Sequence, residues 1–176
     1  MVEMTIYGVS FDLVGKQPIV LLKTADGNRY LPIWIGHPEA AAILMKLQGA
    51  EAPRPLTHDL LVNILGELDV DVVRVTVTEL RENTFHASIT VAQNGAEVEV
   101  DSRSSDAIAV AVRAQAPIFA ADEVIDESSI EMEGDEINEE EVVDEFRRFL
   151  DKVSAEDFAE AEVEPEDEDE DEDAPS

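Results

Sequence analysis

Short alternations of apolar and polar positions fill the first part of the chain and predict strands. They occupy residues 5–13, 19–23 and 30–35, and turn-forming residues at 15–18 and 26–28 separate them. A period of two is the pattern of a half-buried strand, and short turn segments connect strands into hairpins. We therefore predict an antiparallel meander at the start of the fold.

Helical spacing replaces this alternation after Pro38, a residue favoured in the first turn of a helix, and it continues to a stop at Gly49. The connector Pro53-Arg54-Pro55 follows. A second helix is predicted after Thr57, with an apolar stripe at Leu60, Leu61, Ile64, Leu65 and Leu68. The two helices should form a pair joined by a short rigid segment.

Strand patterns return at residues 70–80, 85–92 and 96–100, with turns at Asn83 and at Asn94-Gly95. A third helix is predicted from Ser105 to about Ala116, before Pro117, and residues 118–119 form a last short strand. This order predicts an α+β fold. We expect a mostly antiparallel or barrel-like sheet packed with three helices.

Charge divides the chain into a domain and an acidic appendage. Residues 1–120 hold nine basic and fifteen acidic residues, a net of -6, whereas residues 121–176 hold three and twenty-seven, a net of -24. We predict a domain at 1–133, an amphipathic helical extension at 134–158 and a disordered acidic tail at 159–176. The extension repeats apolar residues at helical spacing: Val142, Val143, Phe146, Phe149 and Leu150.

The composition and the first residues of the sequence bear on the cellular location of the protein. The sequence has no cysteine, which excludes disulfides and thiolate metal sites. Its first residues lack the basic and apolar regions of a signal peptide, and no stretch reaches the roughly 18 apolar residues of a membrane helix. We expect a cytoplasmic protein without a membrane partner.

Three motifs place acids beside basic residues at the predicted helix starts. They span residues 34–40, 54–60 and 101–107, and their candidate residues are Glu39 and His37, then Arg54, His58 and Asp59, then Asp101, Arg103 and Asp106. Thr57 and Ser105 are candidate N-caps. The repeated arrangement predicts a polar site built from helix starts.

Each residue has a structural and a chemical interpretation. Glu39 matches the helix dipole as a surface acid would, yet it can also ligate a metal or act as a base. His58 can transfer protons, although it cannot be assumed to face its neighbour Asp59. Arg103 can grip phosphate or pair with an acid such as Asp106. Together the carboxylates of Glu39, Asp59, Asp101 and Asp106 are able to hold a divalent cation.

The three motifs, in this order, resemble those of the bifunctional nuclease domain family. The similarity covers residues 4–128 and is carried by residues 31–36, 54–61 and 102–109, although Ser104 stands where the family usually has proline. The segment at residues 140–158 looks like the extension found in actinobacterial members. The resemblance implies DNase and RNase activity, an α+β fold and self-association, with a dimer favoured. It supplies no agreed set of catalytic residues.

Our first hypothesis is a metal-assisted nuclease that hydrolyses single-stranded DNA or RNA. In it Glu39, Asp59 and Asp106 hold Mg²⁺ or Mn²⁺ and act in catalysis, and His58 assists proton transfer. Arg54 and Arg103 bind the substrate's phosphate. The alternative is a non-enzymatic oligomeric scaffold or small-ligand sensor, because the first 120 residues are net negative and lack a strong basic patch.

Overall fold

The computed structural model describes residues 1–11, 17–27 and 29–131. Its strands are β1 (Val2–Phe11), β2 (Pro18–Thr24), β3 (Arg29–Trp34), β4 (Asp71–Arg81), β5 (Thr84–Gln93), β6 (Ala96–Arg103), β7 (Ile118–Ala120) and β8 (Ile130–Glu131). Its helices are α1 (His37–Leu47), α2 (Thr57–Glu67), α3 (Ser104–Ala114) and α4 (Asp122–Ser128).

All of these strands belong to one open sheet in the order β6-β5-β4-β7-β1-β2-β3-β8. Neighbours are antiparallel except β4 and β7, which run parallel. The predicted α+β class and the mostly antiparallel sheet are therefore confirmed. The sheet is open and not barrel-like, and α4 and β8 are elements that the sequence patterns did not indicate.

The hairpin turns follow directly from their residues. Glu82 and Asn83 have φ of 50° and 57°, and Asn94 and Gly95 have φ of 52° and 81°. Two successive positive φ values define the turn whose twist matches a two-residue hairpin, and asparagine and glycine tolerate them best. Both predicted turns thus set the pairing of β4, β5 and β6.

The main core lies between one face of the sheet and helices α1, α3 and α4. Alternate strand residues such as Val20, Leu22 and Val75 pack there against Ile43 and Ile108. The intervening residues of β2 and β3 point to the opposite face, where Ile19, Leu21 and Tyr30 form a second, smaller cluster. Strands β2 and β3 therefore bury residues on both of their faces.

Helix α2 differs from the sequence prediction because none of its residues is buried. Val62 packs partly against the core, but the predicted apolar stripe is exposed at Leu60, Leu61, Ile64 and Leu68. The helix lies mainly against α3 and contacts β4 only slightly, so its outer side has no described cover. We call these four residues the α2 stripe.

Two predicted segments, at residues 134–158 and 159–176, lie outside the described residues. Within the described part of the chain no helix has the length and apolar character needed to span a membrane. The predicted cytoplasmic location stays a prediction.

Candidate active site

The chain enters α1 through Gly36, which is extended with φ of -71° and ψ of 154°. Pro38 and Glu39 follow in the first turn, where proline is tolerated and an acid meets the positive end of the helix dipole. A side chain at position 36 would overlap the Glu39 carboxylate. Glycine here leaves space that the Glu39 carboxylate occupies, and it lets Glu39 fold back over the helix start.

The starts of α1, α2 and α3 meet at four polar side chains, Glu39, His58, Arg103 and Asp106. Nη2 of Arg103 donates to Glu39 Oε1 at 2.8 Å, and its Nε donates to Asp106 Oδ2 at 2.7 Å. The other oxygen of Asp106 lies 2.9 Å from His58 Nε2. We call these four residues the Arg103 cluster.

Arg103 uses one edge of its guanidinium group for both carboxylates, because Nε and Nη2 lie on the same edge. Within the described part of the chain its Nη1 donates no hydrogen bond, and the side chain is 66% exposed. His58 is only 13% exposed and contacts Asp106 through one ring nitrogen. The cluster thus presents a cation to solvent and holds a histidine just beneath it.

Electrostatics keep Asp106 and Arg103 ionised. Burial raises the pKa of Asp106, but hydrogen bonds from Arg103 and His58 outweigh it, and the net pKa is below its ordinary value. Hydrogen bonds to Asp106 and Glu39 raise the pKa of Arg103. Near neutral pH, Asp106 is therefore a carboxylate that accepts hydrogen bonds, and Arg103 is positively charged.

Asp59 faces away from this cluster and contacts Arg113 of α3. Arg113 Nε donates to Asp59 Oδ1 at 2.6 Å, while Nη1 donates to the carbonyl of Ala109 and Nη2 to that of Ala42. The Arg113 side chain is only 4% exposed. This buried arginine ties α1, α2 and α3 together, and the sequence analysis missed it.

The other oxygen of Asp59 completes the start of α2. Oδ2 accepts the backbone N–H of Leu56 at 2.9 Å, so Asp59 caps the chain three residues before it. Although burial raises the pKa of Asp59, the hydrogen bonds from Leu56 and Arg113 lower it overall. The predicted caps Thr57 and Ser105 are wrong, because α2 begins at Thr57 and Ser105 lies within α3. The N-cap residues are Leu56 and Arg103, and neither makes a side-chain cap bond.

Three further candidate residues, Arg54, Asp101 and His37, belong neither to the Arg103 cluster nor to the pair of Asp59 and Arg113. Arg54 is exposed and lines a cavity that also contains Asp59 and Arg113. Asp101 is exposed on β6 and makes no salt bridge with the described residues, and His37 is the exposed first residue of α1. Ser104 is the buried first residue of α3, a position where proline is also tolerated.

The three carboxylates predicted to hold a metal are divided between two arginine side chains. Glu39 and Asp106 share the guanidinium group of Arg103, whereas Asp59 is bound to Arg113. The described residues contain no group of three or more histidine, aspartate or glutamate side chains able to hold an ion. As arranged, these donors do not fit a three-carboxylate site.

The fold and the site together define an α+β domain with a charged cluster where three helices begin. A family model, the bifunctional nuclease domain, matches residues 20–133. Two uncharacterized proteins of Mycobacterium tuberculosis are 39% identical to the chain over 163 residues, which cover 89% of this chain and 97% of theirs. The chain belongs to the bifunctional nuclease domain family.

More distant similarity extends to plants. Bifunctional nuclease 1 of Oryza sativa subsp. indica is 28% identical over 103 residues, which cover 56% of this chain and 31% of the rice protein. The bifunctional nuclease of Oryza minuta matches to the same extent. The shared region is therefore about a third of each rice protein.

Proposed function

We propose that the protein hydrolyses phosphodiester bonds of single-stranded DNA and RNA at the Arg103 cluster. One observation carries this proposal: Asp106 joins an exposed arginine to a shielded histidine, which pairs a phosphate-binding group with a proton-transfer group. Membership of the bifunctional nuclease domain family and the names of the rice relatives support the substrate class.

In the proposed reaction, the outer edge of Arg103 binds the non-bridging oxygens of the scissile phosphate. Its positive charge offsets the charge that builds up as the nucleophile adds to phosphorus. Glu39 and Asp106 hold the inner edge of the guanidinium group and so fix its plane. Glu39 therefore acts as a positioning residue.

Water is the nucleophile in the proposed reaction, because DNA has no 2′-hydroxyl group and the same mechanism is proposed for both polymers. Asp106 binds His58 Nε2, which leaves Nδ1 to accept a proton from water. The water oxygen forms a bond to phosphorus, the P–O bond to the leaving strand breaks, and the leaving oxygen takes up that proton. The proposed roles are proton transfer for His58 and orientation of its ring for Asp106.

The sequence also predicted that Asp59, Glu39 and Asp106 hold a metal ion, and that prediction is distinct from the roles proposed above. The mechanism above uses only side chains of the cluster, because the described donors do not form a three-carboxylate site. A requirement for Mg²⁺ or Mn²⁺ stays a prediction. Cleavage measured in EDTA and after adding back each ion tests it directly.

Cleavage of end-labelled single-stranded DNA and RNA tests the assignment. We expect His58→Asn to lower kcat about 10²- to 10⁴-fold and Arg103→Lys to lower it about 10²- to 10³-fold. Arg81→Lys is the matched control, since Arg81 is 59% exposed and pairs with a single carboxylate, that of Glu79. Wild-type rates in His58→Asn would reject the proposed chemistry.

We also propose that the protein forms a homodimer through the α2 stripe. Its four large apolar side chains are exposed. Val98 and Val100 of β6 are also exposed, and they share one face of the sheet with each other. Grouped apolar residues of this kind are typical of association surfaces. Light scattering should give a dimer for the wild type and a monomer for Ile64→Lys, whereas a monomeric wild type would contradict the proposal.

A further inference from the structure

Most of the described lysine and arginine side chains already contact a carboxylate or an aromatic ring. These are Lys23, Arg29, Arg74, Arg81, Arg103 and Arg113. Lys46 and Arg54 make no salt bridge with any described residue, although Lys46 is near enough to lower the pKa of Asp59. Both of these cations line the same cavity.

The cavity lies between the end of α1, the connector at residues 50–56 and the first turn of α2. Its volume is about 270 Å³. Asp59 and Arg113 neutralise each other in its wall, so Lys46 and Arg54 oppose only the carboxylate of Glu51. The cavity is therefore locally positive on a chain whose net charge is -30.

The connector presents Arg54 in a restricted way. Pro53 and Pro55 flank it, and proline fixes its own φ and limits the conformation of the residue before it. An arginine on such a segment loses less conformational freedom when it binds an anion than one on a flexible loop does. Its planar group can bind two oxygens of a phosphate at once, and Lys46 adds a second charge.

We propose that this cavity, which we call the Arg54 cavity, binds the phosphate monoester of a nucleotide, either free or at the end of a nucleic-acid strand. The identity of the ligand rests on the proposed nuclease function, whereas the preference for an anion rests on Lys46 and Arg54. The volume is near the lower end of small-molecule sites, about 300 to 1,000 Å³, and so suits one nucleotide rather than a duplex.

The Arg54 cavity and the Arg103 cluster share the first turn of α2. His58 belongs to the cluster, and its neighbour Asp59 lines the cavity. Successive residues of a helix point about 100° apart, so the two sites flank the same helix start. A strand whose terminal phosphate sits in the cavity would then run past His58.

Calorimetric titration of the full chain at low salt in EDTA tests the proposal. The probes are inorganic phosphate, adenosine monophosphate, adenosine, and a four-nucleotide oligothymidylate with or without a terminal phosphate. We expect the monophosphate to bind at least tenfold more tightly than adenosine, and its affinity to fall as salt rises. Tighter binding of the phosphorylated oligonucleotide identifies a strand end as ligand, whereas binding of the free monophosphate alone identifies a mononucleotide.

Variants locate the binding site. Arg54→Gln and Lys46→Gln should each weaken monophosphate binding about tenfold, and Arg81→Gln, an exposed arginine outside the cavity, should leave it within twofold. Both cavity residues are exposed, so melting temperatures should not change. Equal binding of adenosine and its monophosphate, or an unaffected Arg54→Gln, would overturn the proposal.

The same titration separates this proposal from the nuclease function. His58→Asn should lose cleavage and keep monophosphate affinity, because His58 does not line the cavity. Binding without cleavage in the wild type would leave the cavity supported and reject the nuclease chemistry. Cleavage without phosphate-dependent binding would support the nuclease chemistry and reject the proposed phosphate site.

Discussion

Replacing Asp59 with asparagine removes the negative charge opposite Arg113 while nearly keeping the shape of the side chain. Arg113 is 4% exposed, and its Nε lies 2.6 Å from Asp59 Oδ1. The variant would leave a buried guanidinium group without its counter-charge and would weaken the cap on the Leu56 N–H. We expect it to destabilise the fold.

The expected loss of stability depends on how deeply Asp59 and Arg113 are each buried. Breaking a fully buried ion pair costs about 3 to 5 kcal/mol, and a hydrogen bond to a charged group contributes about 1.5 to 3 kcal/mol. Asp59 is 33% exposed, so water replaces part of the lost interaction, and asparagine still accepts a hydrogen bond. We therefore expect Asp59→Asn to lower the free energy of unfolding by about 2 kcal/mol.

Urea unfolding, followed by circular dichroism and by the fluorescence of Trp34, the single tryptophan, measures this change. Asp101→Asn is the control, because Asp101 is exposed and makes no salt bridge with the described residues, and its effect should stay within about 0.5 kcal/mol. A change below about 0.5 kcal/mol for Asp59→Asn would refute the reasoning. Cleavage assayed well below the variant's melting temperature also tests the predicted catalytic role: a stable but inactive variant would support that role.

Two further predictions concern the Arg103 cluster. Gly36→Ala should push the Glu39 carboxylate away from Arg103 and lower cleavage at least tenfold, while the backbone, at φ of -71°, accepts alanine without strain. Gly66→Ala, where an added methyl group meets nothing within 4 Å, is the control and should leave the cleavage rate unchanged. The pKa of Asp106 is lower in the folded protein than its unfolded value of about 3.9. Its ionic contacts therefore stabilise the fold fully above that unfolded pKa, and this stabilisation is lost as the pH falls through the lower folded pKa. Urea midpoints should therefore show the stability difference between wild type and Asp106→Asn shrinking between about pH 5 and pH 2, and a constant difference would contradict this.

Local signals were enough to predict the hairpin turns at residues 83 and 94–95 and the first turn of α1. Asn83 and the pair Asn94-Gly95 tolerate the positive φ that their turns require, and Pro38 marks the first turn of α1. These features depend only on a few neighbouring residues. The mostly antiparallel α+β arrangement follows from their order along the chain.

The partners of each charged residue could not be predicted in this way. His58 and Asp59 are adjacent in sequence, yet one contacts Asp106 and the other Arg113, because neighbours on a helix diverge. Arg113 itself resembles an ordinary basic residue in the last turn of a helix, where the dipole favours it. Its function as a tie appears only when α1 and α2 pack beside α3.

The absence of buried residues in α2 has a consequence for how the protein would respond to heat, salt and acid. Polar contacts join its two ends to the rest of the domain: His58 to Asp106, Asp59 to Arg113, and Gln93 to the carbonyl of the C-cap residue Leu68. Of its apolar side chains, Val62 packs partly against the main core. Elements with little buried apolar area open locally before the whole domain unfolds. Detachment of α2 would withdraw His58 and leave the sheet intact, so the proposed cleavage activity would be lost at a lower temperature than native strand structure.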